Sequence, residues 1–289
     1  MEQVISFLKN WYRFISPKFQ TVHLDYSVVN NPRFTAKTGP HPELDKILKS
    51  NDAQYRNLII KMLNLVDRFS SWSLYDEVAP SLLPQWNNDF LPALDMVALY
   101  TIITEYKPKH IIEIGSGNST KVIRAAIEDH NIQAKITSID PAPRAEIDRI
   151  SDTVIREGLQ FIEWNPLIKE LQSGDILFID NSHRILPNSD ATVVFTELMH
   201  RLKQGVIVHI HDIYIPFDYP KFMCDRFYSE QYGLMIAILA NPSRYKPLFP
   251  AYYISQDPLL QTKLNPIWDI SDLINSEKHG GSFWIEISS

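Results

Sequence analysis

Two short runs, DILFID at 175–180 and GVIVHIH at 205–211, are apolar at nearly every position instead of every second one. A strand with one wet face alternates in polarity. A strand apolar on both faces must be covered on both, which points to a mostly parallel sheet with helices above and below it. The surrounding sequence fits that reading. HIIEIG at 110–115 and AKITSID at 134–140 read as strands, TVIREG at 153–158 holds a weaker one, and GSFWIEI at 281–287 is a final strand. Between them, helical patterns run over 119–129, from Arg144 to Ile150, from Asp190 to Leu202 and from Asp225 to Ala240. The expected fold is α/β, a doubly wound, Rossmann-like sheet.

Residues 1–88 have a different character and read as a mainly helical cap before a core at 89–289. They carry the loop signals NNPRF and TGPHPE, then apolar positions at helical spacing between Leu44 and Phe69. The proline-punctuated stretch APSLLPQWNNDFLP leads to a helix with Pro92 in its first turn, which ends before Pro108.

With 28 basic and 34 acidic residues the net charge is −6, so the chain lacks the basic surface with which a nucleic-acid binder neutralises phosphates. A small-molecule partner is the expectation. The single cysteine, Cys224, excludes an internal disulfide and fits a reducing, cytoplasmic setting. No apolar run approaches the roughly 20 residues that span a bilayer. In residues 1–19, Val4, Leu8, Trp11 and Ile15 repeat at helical spacing among Lys9, Arg13 and Lys18. That segment is expected to dock on the body of the protein or on a second copy in a homodimer, with membrane-surface contact as the alternative.

The strand at 110–114 runs into the turn Gly115-Ser116-Gly117-Asn118-Ser119-Thr120. In a doubly wound sheet, ligands collect where strands end at their carboxyl side. Glycine lets backbone approach a ligand there, and the helix that follows offers unpaired N–H groups. The next strand ends on Asp140, suited to accept hydrogen bonds from both hydroxyls of a ribose. A dinucleotide fingerprint would need a third glycine at position 120, which is threonine. Glu113 adds a negative charge that would repel a diphosphate and suits an ammonium or sulfonium group. S-adenosylmethionine is therefore favoured over NAD.

A second group lies at the next two strand ends, in IDNSH and HIHD: Asp180, His183, His211 and Asp212. If those strands are neighbours, about 4.8 Å apart, the four meet on one rim. They could take a proton from an acceptor, with His211 as the base. A divalent metal held by Asp180, His211 and Asp212 is the competing use. His209 reads as a core histidine. Glu230 and Tyr232 in YSEQY, and Trp86 and Asn87 in QWNND, are weaker candidates for the pocket.

Taken together, EIGSGNST, SIDPAPR, GDILFIDNSH, GVIVHIHDIYIPFDYP and GGSFWIEI resemble the class I S-adenosylmethionine-dependent methyltransferases, near the small-molecule O-methyltransferases, over roughly residues 86–287. The resemblance implies a seven-stranded sheet in the order 3-2-1-4-5-7-6 with the last strand antiparallel. It implies Glu113 near the methionine amino group, Gly115 and Gly117 under the cofactor, Asp140 on the ribose, and Ser119 and Thr120 closing the turn. Asn118 or Ser119 reads equally as a plain helix cap. Metal-dependent relatives carry an Asp-Asn pair where this chain has His211-Asp212. The expected activity is O-methylation of a small metabolite, against an aminopropyl transferase of the same fold or a cofactor-binding protein without catalysis.

Overall fold

The computed structural model describes residues 2–17, 20–74, 82–143, 146–273 and 276–289. These group into two compact units, 1–31 and 32–289. In the first, α1 spans Glu2–Ile15. Val4 and Lys9, both part of the amphipathic expectation, have side chains outside the described residues.

The second unit opens with α2 (Pro42–Lys49), α3 (Asp52–Leu63) and α4 (Val66–Ser70), which divide the expected helical stretch into three. Leu44, Leu48, Tyr55, Leu58, Ile59 and Met62 are all buried. After them come α5 (Ala93–Tyr106) and β1 (His110–Ile114), α6 (Asn118–Asp129) and β2 (Lys135–Ile139), then β3 (Thr153–Ile155). The middle of the unit holds α7 (Asn165–Glu170), β4 (Ile176–Ile179), α8 (Asp190–Val193) and β5 (Ile207–Ile210). The remainder is α9 (Lys221–Cys224), α10 (Glu230–Ala240), β6 (Tyr245–Pro250), α11 (Ala251–Gln256), α12 (Pro258–Lys263), α13 (Asn265–Trp268) and β7 (Phe283–Ile287). α3 packs on α5 and β6, and α2 on α10, so the helices from residue 42 onward share the core of the sheet.

The seven strands lie in the order β3-β2-β1-β4-β5-β7-β6. β1 to β5 pair in parallel, and β7 runs antiparallel to both β5 and β6, as the sequence implied. Every residue of β4 and β5 is buried, the physical reason for their unbroken apolar runs. The register is what builds the site. Ile114 lies opposite Ile179, which lies opposite Ile210. One residue further on, the backbone N–H groups of Gly115, Asp140, Asp180 and His211 still bond to neighbouring strand carbonyls, at 2.8–3.0 Å. Those four residues therefore leave the sheet in one row along one rim.

Four local expectations differ from the structure. The helix expected from Arg144 begins outside the described residues, and 148–150 form a turn. The helix expected from Asp225 is broken, because Phe227 adopts a left-handed backbone and α10 starts only at Glu230. Pro92 precedes α5 instead of occupying its first turn. β6 was not read from the sequence at all: Pro247 and Pro250 argue against a strand, and they are tolerated because β6 is a sheet edge with no second partner. Among the described residues, no helix is long and apolar enough to cross a membrane.

Candidate active site

A cleft opens at the carboxyl ends of β1, β2 and β4, lined by Ile114 to Ser119, Ile139 to Ala142, Phe90, Leu91, Asp180, Asn181 and Asp190. The turn after β1 forms its floor. Gly115 sits at φ +81°, and a Cβ there would lie 1.7 Å from the carbonyl oxygen of Asp180. Glycine is thus required where β1 and β4 leave the sheet side by side. Gly117 differs: a Cβ there would meet nothing within 4 Å, which leaves bare backbone facing the cleft. Gly115→Ala should destabilise the fold by about 1–3 kcal/mol from overpacking, with a further cost of about 1–2 kcal/mol for the left-handed backbone. Urea unfolding with an unchanged slope and a lowered midpoint would check this.

Glu113 is placed differently from the expectation. Its carboxylate is fully buried against the first turn of α6 and is not part of the cleft lining. It accepts hydrogen bonds from Ser119 Oγ at 2.5 Å and Thr120 Oγ1 at 2.6 Å. Thr120 Oγ1 in turn accepts from the Gly117 N–H at 3.1 Å. Burial raises the Glu113 pKa to about 7 against the opposing pull of the Ser119, Thr120 and Ser138 hydroxyls. Glu113 and Thr120 therefore fix the shape of the glycine turn from beneath and do not line the cleft.

Asp140 does line it. Its Oδ2 accepts from the Ser116 N–H and its Oδ1 from the Ala142 N–H, each at 2.8 Å. A carboxylate has about four acceptor positions, so each oxygen retains one for a ligand hydroxyl. Asn118 donates to the Asn88 carbonyl at 3.1 Å, and Asn88 holds Phe90 and Leu91 by accepting from both N–H groups. This tie brings the Phe90 side of the QWNND loop to the cleft. Trp86, expected over the cofactor, packs on Trp72 instead, with ring centroids 4.9 Å apart.

On the adjacent rim Asp180, His183, His211 and Asp212 converge. His211 Nδ1 is 3.7 Å from Asp180 Oδ1 and 3.7 Å from Asp212 Oδ1, while its Nε2 is 3.3 Å from Asp95 Oδ2. His183 Nε2 lies 3.7 Å from Asp180 Oδ1 and 3.5 Å from Asp212 Oδ2, and its Nδ1 is 2.5 Å from Glu230 Oε1. Two buried imidazoles are thus held among four carboxylates. His183 and Asp212 both carry left-handed backbones, unusual for residues other than glycine.

The electrostatics revise the roles. Burial pulls the His211 pKa down, but the Asp180 charge, the Asp95 hydrogen bond and the Asp212 charge outweigh it and raise the pKa to about 10. That direction favours the protonated ring at neutral pH and argues against His211 as the base the sequence suggested. Burial likewise opposes protonation of His183, and its bond to Glu230 with the Glu230, Asp212 and Asp180 charges leaves the pKa raised. The metal expected on Asp180, His211 and Asp212 finds no support in the geometry. Among the described residues, no group of three or more His, Cys, Asp or Glu is arranged to hold a metal ion. His209 is a core residue, as expected, stacked on Phe178 with centroids 3.8 Å apart and bonded to Ser282 Oγ at 2.8 Å.

Asp95 was missed by sequence reasoning. It is fully buried in α5, a helix apolar on nearly every side, and also accepts from the Gly281 and Ser282 N–H groups at 2.7 and 3.0 Å. An acid in such a helix needs buried partners, and that was the available signal. Glu230 reaches His183 because the chain breaks before α10, where the Ser229 and Glu230 N–H groups donate to the His183 carbonyl.

Residues 112–213 match a protein family described as a methyltransferase domain. The chain carries a methyltransferase domain over that stretch. The matched part runs from within β1 past the end of β5, and so contains both the glycine turn and the Asp180–Asp212 rim. Similar solved structures include a Podospora anserina methyltransferase bound to SAH, with 14% identity, 85% of this chain and 96% of that chain covered, and a TM-score of 0.41. Another is an O-methyltransferase from Bacillus cereus in complex with SAH, with 14% identity, coverage of 79% and 90%, and a TM-score of 0.38. No curated protein matches the chain.

Proposed function

We propose that the cleft at the ends of β1, β2 and β4 binds S-adenosylmethionine and that the enzyme methylates a hydroxyl oxygen of a small molecule, with Asp180 accepting the proton. The observation that carries this reading is that Asp180 lines the same cleft as the glycine turn and Asp140. When bound, S-adenosylmethionine supplies an electrophilic methyl group: the acceptor oxygen forms the new O–C bond while the S–C bond breaks and the sulfur keeps its electron pair. The residues of the chain do the rest. Gly117 leaves room for the ligand, Asp140 offers one free acceptor position on each oxygen for the ribose hydroxyls, and Asp180 takes the hydroxyl proton. His211, as a fixed cation, holds its Nδ1 3.7 Å from both the Asp180 and the Asp212 carboxylates.

The region expected as a cap supports this reading in part. Residues 32–88 belong to the same compact unit as the sheet. Their first loop is tied to the chain beyond β5, since Asp218 Oδ2 accepts from the Arg33 and Phe34 N–H groups and the His41 N–H donates to the Pro216 carbonyl. On this reading the cap supplies a wall of the acceptor side.

Titration calorimetry with SAH and with NAD tests the cofactor. SAH is expected to bind, and NAD alone binding would reverse the assignment. Asp140→Ala removes charge-assisted bonds worth about 1.5–3 kcal/mol and should weaken SAH binding roughly ten- to a hundredfold, with the fold intact by circular dichroism. An unchanged Kd would place the ribose elsewhere.

A further inference from the structure

Asn181 stands directly after Asp180, and both line the cleft that holds the glycine turn. The two side chains meet the same neighbour. Asp180 Oδ1 lies 3.7 Å from His183 Nε2, and Asn181 Oδ1 accepts from the His183 backbone N–H at 3.1 Å. That second bond fixes which way the amide is turned, because a backbone donor requires the amide oxygen opposite it. The NH2 group so assigned is buried and has no hydrogen-bond partner among the described residues. Buried polar groups are nearly always paired, and a donor left without an acceptor is costly, so this one calls for an explanation. Ser116 Oγ is also buried and unpartnered in the same lining, but a hydroxyl donates or accepts as its ligand requires and selects nothing.

We infer that the Asn181 NH2 donates to the atom that receives the methyl group and thereby selects oxygen over nitrogen. The inference rests on the methyl-transfer reading and names the residue that decides which nucleophile the site takes. The NH2 nitrogen is shielded while the residue as a whole is only half-buried, so a ligand atom in the cleft reaches it through a small shift of the side chain.

The selection follows from counting lone pairs. A hydroxyl oxygen carries a single proton and a pair of lone pairs. In the transfer, one lone pair forms the O–C bond as the S–C bond breaks and the sulfur keeps its electrons, the proton passes to Asp180, and the remaining lone pair accepts from Asn181. A neutral primary amine has two protons and a single lone pair. That lone pair forms the N–C bond, one proton passes to Asp180, and the other is left facing the Asn181 NH2, donor against donor. A carboxylate beside an amide donor therefore matches a hydroxyl and opposes an amine. Sites whose polar groups the wrong substrate leaves unpaired discriminate strongly.

The test uses the full chain, S-adenosylmethionine carrying a carbon-13 methyl group and a metabolite extract, with products read by NMR, in which methyl carbons on oxygen and on nitrogen resonate apart. The wild type should give O-methyl products. Asn181→Asp keeps the oxygen that holds the His183 N–H and replaces the donor with an acceptor for the second amine proton. It should lower O-methyl formation by about tenfold or more and raise the ratio of N-methyl to O-methyl products by about tenfold or more, with SAH affinity within about threefold by calorimetry. Asn181→Ala removes the donor without adding charge and should raise the same ratio, which covers the case in which Asn181→Asp fails to fold. In a merely structural role the amide would move both rates together and leave the ratio unchanged. N-methyl products dominating in the wild type, or a ratio unmoved in both variants, would overturn the inference and leave methyl transfer standing. An unmoved ratio with SAH affinity reduced by about tenfold would instead assign the amide to the cofactor. A wild type that binds SAH and yields no methylated product would overturn the methyl-transfer reading and this inference with it.

Discussion

Asp180→Asn should lower the rate of methyl transfer by about 10²- to 10⁴-fold, the range a positioned general base supplies. The substitution keeps size and shape, and it leaves the backbone of residue 180 in its place beside Gly115, where the fit is tight. What it removes is the negative charge and the proton acceptor. On the proposed reading the carboxylate acts on the acceptor proton and not on the cofactor, so SAH affinity should stay within about threefold. Turnover of labelled methyl donor with a metabolite extract, alongside calorimetry with SAH, separates the two quantities. A full rate in Asp180→Asn would move the base to Asp212, the other carboxylate facing both histidines, and Asp212→Asn would then show the loss.

The rim was legible because a strand covered on both faces announces where it stops. The apolar runs end abruptly at Asp140, Asp180 and His211, and the structure continues the hydrogen-bond ladder by one residue through each of these positions. Parallel neighbours in register then bring together groups that are 25 to 65 residues apart in the chain. Glu113 was misplaced for a related reason. It lies two positions before Gly115, inside β1, where side chains stand perpendicular to the sheet instead of projecting off its end. Its charge therefore meets the first turn of α6 and not the ligand cleft. Asp95 and Glu230 were harder to read, since a single acid on a helix most often faces water. The apolar helix around Asp95 signals its burial, but only tertiary packing reveals that Asp95 and Glu230 both meet histidines. β6 was hidden by its two prolines, which only its edge position makes acceptable.

His211→Ala should destabilise the protein by about 3–5 kcal/mol, the usual cost of removing one partner from a buried ionic group. The imidazolium lies within 3.7 Å of Asp95, Asp180 and Asp212, and Asp95 is fully buried, so its loss leaves like charges without their shared cation. Asp95 keeps its bonds from the Gly281 and Ser282 N–H groups, which places the expected cost toward the lower end of that range. The pH dependence distinguishes this ionic role from simple packing. A histidine whose folded pKa, about 10, exceeds its unfolded value of about 6.5 binds more protons in the native state between those limits. Its stabilising contribution is complete below about pH 6.5 and is lost progressively as pH rises toward 10. Urea midpoints of the wild type should therefore fall across that interval, and the fall should be much shallower in His211→Ala. NMR should show no His211 titration near pH 6.5. A ring that titrates there, or equal pH slopes for both proteins, would mean that His211 is neutral in the native state and available as the base after all.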